Sequence, residues 1–134
     1  MKPNFAKIAA ILAVVIGAMA VVAGASVWLG RVPSYDVIGW LPLYNVVLGV
    51  IALFVAILLW RNSRYAMAAA LATLAAHLVV TVVLLIAYRE VVATASLVAM
   101  AVRIATWTLI VGLLWVQSRS IEAGAPEQNQ PRGV

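Results

Sequence analysis

Long apolar runs alternate along the chain with very short polar breaks. The runs extend approximately from Ile8 to Leu29, Val37 to Trp60, Tyr65 to Tyr88 and Val91 to Val116. Each reaches the roughly 20 residues that an α-helix, rising about 1.5 Å per residue, needs to cross about 30 Å of hydrocarbon. Pro42 lacks an N–H and suits a first helical turn, so it offers a later start to the second helix, with Gly30 to Leu41 left as a connection lying partly in the interface. Only Arg61-Asn62-Ser63-Arg64 separates the second run from the third, and only Arg89-Glu90 the third from the fourth. Such breaks admit tight hairpin turns and nothing longer, which makes sequential helices antiparallel. The expected fold class is an all-α integral membrane protein, an antiparallel four-transmembrane-helix bundle.

The polar breaks also carry orientation. Lys2, Lys7, Arg61, Arg64, Arg119 and Arg132 fall on one side, whereas Arg31 and Arg89 on the other are each accompanied by an acid, Asp36 and Glu90. The positive-inside rule then places both termini in the cytoplasm. Aromatic rings prefer the two interfaces: Trp28, Tyr35, Trp40, Tyr44 and Tyr88 are expected at the outer one, and Trp60, Tyr65 and Trp115 at the inner one. Residues 1–7 form a short cytoplasmic N-terminus, residues 8–121 the membrane domain, and residues 122–134 a flexible cytoplasmic tail rich in Gly, Pro, Gln and Asn. Lys2 and Lys7 ahead of an apolar run ending in Ala23-Gly24-Ala25-Ser26 have the look of a signal peptide, but about 22 apolar residues exceed a typical h-region, and a retained anchor is expected.

Composition agrees. Hydrophobic residues make up 66% and charged residues 10% of the 134, against about 45–50% and 25% in soluble domains, and the mean hydropathy is +1.12. A multi-pass protein of a bacterial inner (cytoplasmic) membrane is expected. The net charge of +5 does not point to nucleic acid, because the basic residues punctuate the ends of apolar runs instead of forming a patch. With no cysteine there is no disulfide, thiolate metal ligand or thiol nucleophile. Gly-x-Ser-x-Gly, paired carboxylates and glycine-rich phosphate loops are also absent from the sequence, so no catalytic residue is assigned.

Small residues recur where helices have to meet closely. Ala13, Gly17, Ala20 and Gly24 form a stripe on the first run, and Asn45, Gly49, Ala52 and Ala56 one on the second. Packing within the bundle is the simpler use of these stripes, and a homo-oligomer built on the first helix the sharper one. The ends of the second and fourth runs echo each other. Leu58-Leu59-Trp60-Arg61-Asn62-Ser63-Arg64 and Leu113-Leu114-Trp115-Val116-Gln117-Ser118-Arg119 share five of seven positions. Shared anchoring demands explain this more simply than a duplicated hairpin.

Two ionisable residues lie deep within the runs. His77 belongs to a polar stripe with Thr73 and Thr81, and Arg103 shares approximately one face with Ser96 and Trp107. The third and fourth helices run in opposite directions, and each of the two residues is about twelve into its run, so they are expected at similar depth. Tyr44 and Asn45, entering from the outer end of the second helix, complete the expected polar site. An arginine near a helix centre costs from about 2.5 to over 10 kcal/mol and persists only with partners or water, and none of the four runs contains an acid. Its partners would be helix carbonyls, Asn45, Tyr44, water, an acid of another subunit, or a bound lipid headgroup or quinone. No other cofactor is expected, and as the sole histidine His77 could complete a metal chelate only between chains. The function expected from sequence is a small non-enzymatic membrane protein. It would act as an accessory subunit of a larger membrane complex or a lipid- or quinone-contacting module. The alternatives are a small oligomeric proton-linked transporter and a membrane enzyme whose cofactor the sequence does not announce.

Overall fold

The computed structural model describes residues 4–31 and 33–123, and regular structure among them is entirely helical. Four helices follow in order: α1 Phe5–Trp28, α2 Leu41–Trp60, α3 Ala66–Ala87 and α4 Thr94–Ala123. All four are long and apolar enough to cross a membrane. Their only charged residues are Lys7, Arg103, Arg119 and Glu122.

The helix ends follow local chemistry more than hydropathy. At the end of α1, Gly30 takes φ 88°; its N–H donates to the Val27 carbonyl at 3.2 Å, and that of Arg31 to the Ser26 carbonyl at 3.0 Å. This pair of bonds satisfies carbonyls that the helix leaves orphaned. The same device ends α2, with Asn62 at φ 49° and bonds from Asn62 to Leu59 at 3.1 Å and from Ser63 to Leu58 at 2.9 Å. The start of α2 is Leu41 and not Val37, with Pro42 in its first turn. Proline there has no N–H to leave unsatisfied. The fourth helix begins at Thr94 instead of Val91 and continues beyond Val116 to Ala123. Hydropathy misses that extension because its residues are mostly polar while still sustaining a helix. Residues 122 and 123, expected in the flexible tail, thus close α4. The remainder of that tail, with Arg132, lies outside the described residues, as does Lys2.

Neighbouring helices are antiparallel, and α1 and α2 form the most intimate pair. A Cβ added at Gly17 would lie 2.9 Å from the Gly49 carbonyl oxygen, and one at Gly49 would lie 2.7 Å from the Gly17 carbonyl oxygen. The two backbones touch. Ala13, Ala20, Ala52 and Ala56 beside them are buried, so the small-residue stripe of α1 is spent on α2 of the same chain. It is not left free as a face for a second copy. Helix α4 packs on α1 and on α3, while α2 and α3 touch least, and neither diagonal pair brings backbones together among the described residues. Trp107 of α4, 0% exposed, fills the middle of the bundle. It shares one core cluster with Ala9 and Ala13 of α1, Ala52 of α2, and Ala66 and Ala70 of α3. Small side chains on three helices make the socket for one large ring on the fourth.

The two ends differ in charge. At the end holding the start of α1 and the α2–α3 turn, Lys7 lies over the Trp60 ring at 5.5 Å, Arg64 over Tyr65 at 4.7 Å and Arg119 over Trp115 at 4.6 Å. Gln117 ties this end together: its Oε1 accepts from the Ala6 N–H at 2.7 Å and its Nε2 donates to Asn62 Oδ1 at 3.2 Å. Asn62 and Gln117 are equivalent positions of the sequence echo, but the first terminates a helix and the second sits inside one. Their side chains meet, while the local structures around them do not repeat. At the opposite end Trp28 and Tyr35 are exposed. Trp40 packs edge-on against Tyr44 and Tyr88, with ring centroids 6.1 and 5.9 Å away, so these three rings bridge α2 and α3 instead of standing apart.

Candidate functional site

Successive residues of a helix point about 100° apart, and near its start α2 uses this to serve two different helices. Tyr44 turns to α3, where its hydroxyl and His77 Nδ1 share a hydrogen bond of 2.5 Å. The two rings meet edge to face, 5.9 Å apart at 88°. Asn45 turns to the interior, where its Oδ1 accepts a 2.7 Å hydrogen bond from an Arg103 guanidinium nitrogen of α4. This bond crosses the diagonal of the bundle, between helices whose backbones stay apart. Long helical side chains lean toward their own N-terminus, so Arg103 leans toward the start of α4, the end at which α2 also begins.

Three features hold this arrangement. The missing side chain of Gly24 lets α2 approach at Pro42 and Val46; a Cβ there would press on the Pro42 carbonyl and lie 3.1 Å from Asn45 Cβ. Trp40, one turn before Tyr44, supports the tyrosine ring. Met100, one turn before Arg103 and buried, sets its sulfur 4.0 Å from the guanidinium nitrogen that bonds Asn45.

Electrostatically the site is unbalanced. Arg103 is only 7% exposed, and a guanidinium carries five N–H donors and no acceptor. Among the described residues its hydrogen-bond partners are one neutral amide oxygen and a weak thioether acceptor. No acid occurs in α1, α2 or α3, and the only one in α4 is Glu122, five turns further along. Taking a charge from water costs several kcal/mol unless geometry and counter-charge compensate, and none of the described residues places a counter-charge beside it. Among the described residues the guanidinium keeps N–H donors that neither the Asn45 oxygen nor the Met100 sulfur takes up, and the Asn45 amide NH₂ adds further ones, whereas the Tyr44 hydroxyl and the His77 imidazole already share a hydrogen bond with each other. That set suits a negatively charged or carbonyl-bearing group.

Of the eight residues expected from the sequence, Tyr44, Asn45, His77 and Arg103 are brought together through α2. His77 is 3% exposed. Thr73 is buried beside it but donates to its own helix, to the Ala69 carbonyl at 2.9 Å, and Thr81 donates to the His77 carbonyl at 2.8 Å. Their hydroxyl hydrogens are therefore spent locally. Ser96 is half-buried and makes no side-chain hydrogen bond among the described residues. Trp107 follows Arg103 by one turn yet belongs to the apolar core, where its Nε1 is buried without a partner among the described residues. Met100 and Trp40 are not among the eight site residues expected from the sequence, which gives Trp40 only an interfacial place. Their spacing of three and four residues from Arg103 and Tyr44 is the signal that finds them. Among the described residues no three His, Asp or Glu side chains group in a way that would hold a metal ion. Comparison of the chain with protein-family models, curated proteins and solved structures gives no match.

Proposed function

We propose that this chain is a small, non-enzymatic, multi-pass protein of a bacterial inner membrane, with both termini cytoplasmic, that holds an anionic or carbonyl-bearing lipid-soluble molecule at Arg103. It acts as an accessory subunit or as a lipid- or quinone-contacting module. The observation that carries this reading is the buried guanidinium whose acceptors among the described residues are both neutral, the Asn45 amide oxygen and the weak Met100 sulfur. A cation held in that way is a cost to the isolated bundle, and a ligand or partner that brings negative charge offsets it. Orientation is argued from the basic end, where Lys7, Arg61, Arg64 and Arg119 collect, against the opposite end, where Arg31 and Arg89 have acids nearby in sequence.

Native mass spectrometry of the protein, gently extracted from its own membrane, tests the proposal against the Arg103→Leu variant. A lipid, quinone or second protein that accompanies the wild type and disappears from the variant supports it. A wild type that flies alone, with the variant indistinguishable from it, refutes it. Proton-coupled flux through an oligomer would then be the function to assay.

A further inference from the structure

A second candidate site lies far from Arg103, near the basic end. Between α1 and α2 a groove of about 320 Å³ is lined only by residues of those two helices, at the small end of the roughly 300–1,000 Å³ of ligand clefts. Ala10 and Ala56, 1% and 3% exposed, form its base, because their methyl groups leave the junction of the two helices uncovered. Ile11, Val15 and Ile57 stand as half-exposed walls, and Trp60 closes one end. Every lining residue is apolar or aromatic. At the closed end Lys7 holds its ammonium 5.5 Å from the Trp60 ring centroid, with Arg61 the next residue along the chain. Neither α1 nor α2 contains an acid.

We infer that this groove binds one anionic glycerophospholipid, with a stretch of acyl chain in the slot and the phosphate on Lys7. The inference rests on the bilayer placement proposed above and not on the ligand at Arg103. The charge arrangement favours this occupant. An apolar slot that ends in an ammonium over an indole complements an amphiphile with a negative head, and both side chains are of the kind that sit at headgroup depth. The shape agrees. Along α2 the slot runs from Leu53 to Trp60, a rise of about 10 Å. Branched side chains form its rims, whereas close docking of another helix needs small residues on the contact face.

The test is native mass spectrometry of the full-length protein after equilibration in detergent with equal amounts of phosphatidylglycerol and phosphatidylcholine of identical acyl chains. The wild type is expected to retain one phosphatidylglycerol at the groove, besides any molecule held at Arg103, with about fivefold preference, the effect of one lysine at an anionic headgroup. Lys7→Gln is expected to lose the headgroup preference while still retaining a lipid. Val15→Trp, placed on the exposed rim so that the α1–α2 contact is left alone, is expected to lose the groove lipid while keeping any molecule held at Arg103, with helicity by circular dichroism confirming a folded variant. Equal retention of the two lipids by the wild type overturns the inference, as does a preference that survives Lys7→Gln. It is also overturned if Arg103→Leu abolishes the preference, which would assign the lipid to the other site, or if a dimer mass disappears on Val15→Trp, which would assign the groove to a second copy.

Discussion

Replacing Asn45 and Arg103 singly and together isolates the energetic claim on which the proposed site stands. In Asn45→Leu the guanidinium keeps its burial but loses the 2.7 Å bond to Oδ1, with only the sulfur of Met100 close by. Hydrogen bonds to charged groups contribute about 1.5–3 kcal/mol in soluble proteins, while polar contacts between membrane helices average about 0.6 and reach about 1.7 kcal/mol. For a cation 7% exposed, a loss of about 1.5 kcal/mol is expected. Arg103→Met removes the charge and keeps an unbranched apolar stem. Exchanging a buried ionic group for a packed hydrophobic one is commonly neutral or stabilising by about 1–4 kcal/mol, but the Asn45 amide then loses its partner, so little net change is expected. In the double variant neither polar group remains, and stability at or above the wild type is expected.

The assay is reversible unfolding of purified, delipidated protein in mild detergent, followed by circular dichroism, with the four proteins compared as a thermodynamic cycle. Asn45→Leu is expected to be the least stable of the four. If Arg103→Met instead loses about 3 kcal/mol, the scale of breaking a buried pair, and the double variant is no better than Asn45→Leu, the guanidinium is satisfied within the chain. The case for a ligand at Arg103 then fails.

Three further predictions concern the packing of the bundle. Gly49→Val is expected to cost at least about 1–3 kcal/mol, the price of overpacking, because even a Cβ would lie 2.7 Å from the Gly17 carbonyl oxygen and 2.8 Å from the Val21 nitrogen. Gly112→Ala, where a Cβ meets nothing within 4 Å, is expected to stabilise by up to about 1 kcal/mol through helix propensity alone; the same unfolding assay checks both. Trp107→Ala is expected to cost about 3–5 kcal/mol. Trp107→Phe is expected to cost clearly less than that, because it retains much of the ring in its alanine socket while removing the unpartnered N–H. Equal losses in the two would mean that the Nε1 group has a partner, such as an internal water, that stabilises the fold.

What could be read from the sequence was set by length and period. Four apolar runs with short breaks establish four helices long enough to span a membrane, and the breaks at Arg61–Arg64 and Arg89–Glu90 make sequential helices antiparallel, because a polar break of that length has no other geometry. The depth of His77 and Arg103 follows from counting at a fixed rise, and the proximity of Tyr44 and Asn45 to them was legible for the same reason. Chain ends of helices were less legible. Pro42 marks the start of α2 to within one residue, but the polar turns that carry α4 to Ala123 leave no hydropathy signal.

Tertiary structure alone decided which partner each polar group takes. Helical period places Thr73, His77 and Thr81 on one stripe without distinguishing a hydroxyl that bonds its own backbone from one that faces a neighbour, and both threonines chose their own helix. Period likewise puts Arg103 and Trp107 on one face, yet the first meets Asn45 across the diagonal while the second fills the alanine socket. The glycines of α1 show why. A run of small residues permits close approach to any helix, and which one arrives depends on how all four compete for contact. Here α2 occupies the stripe through Gly49, and that tight pair fixes where Asn45 stands and therefore what the buried arginine can reach.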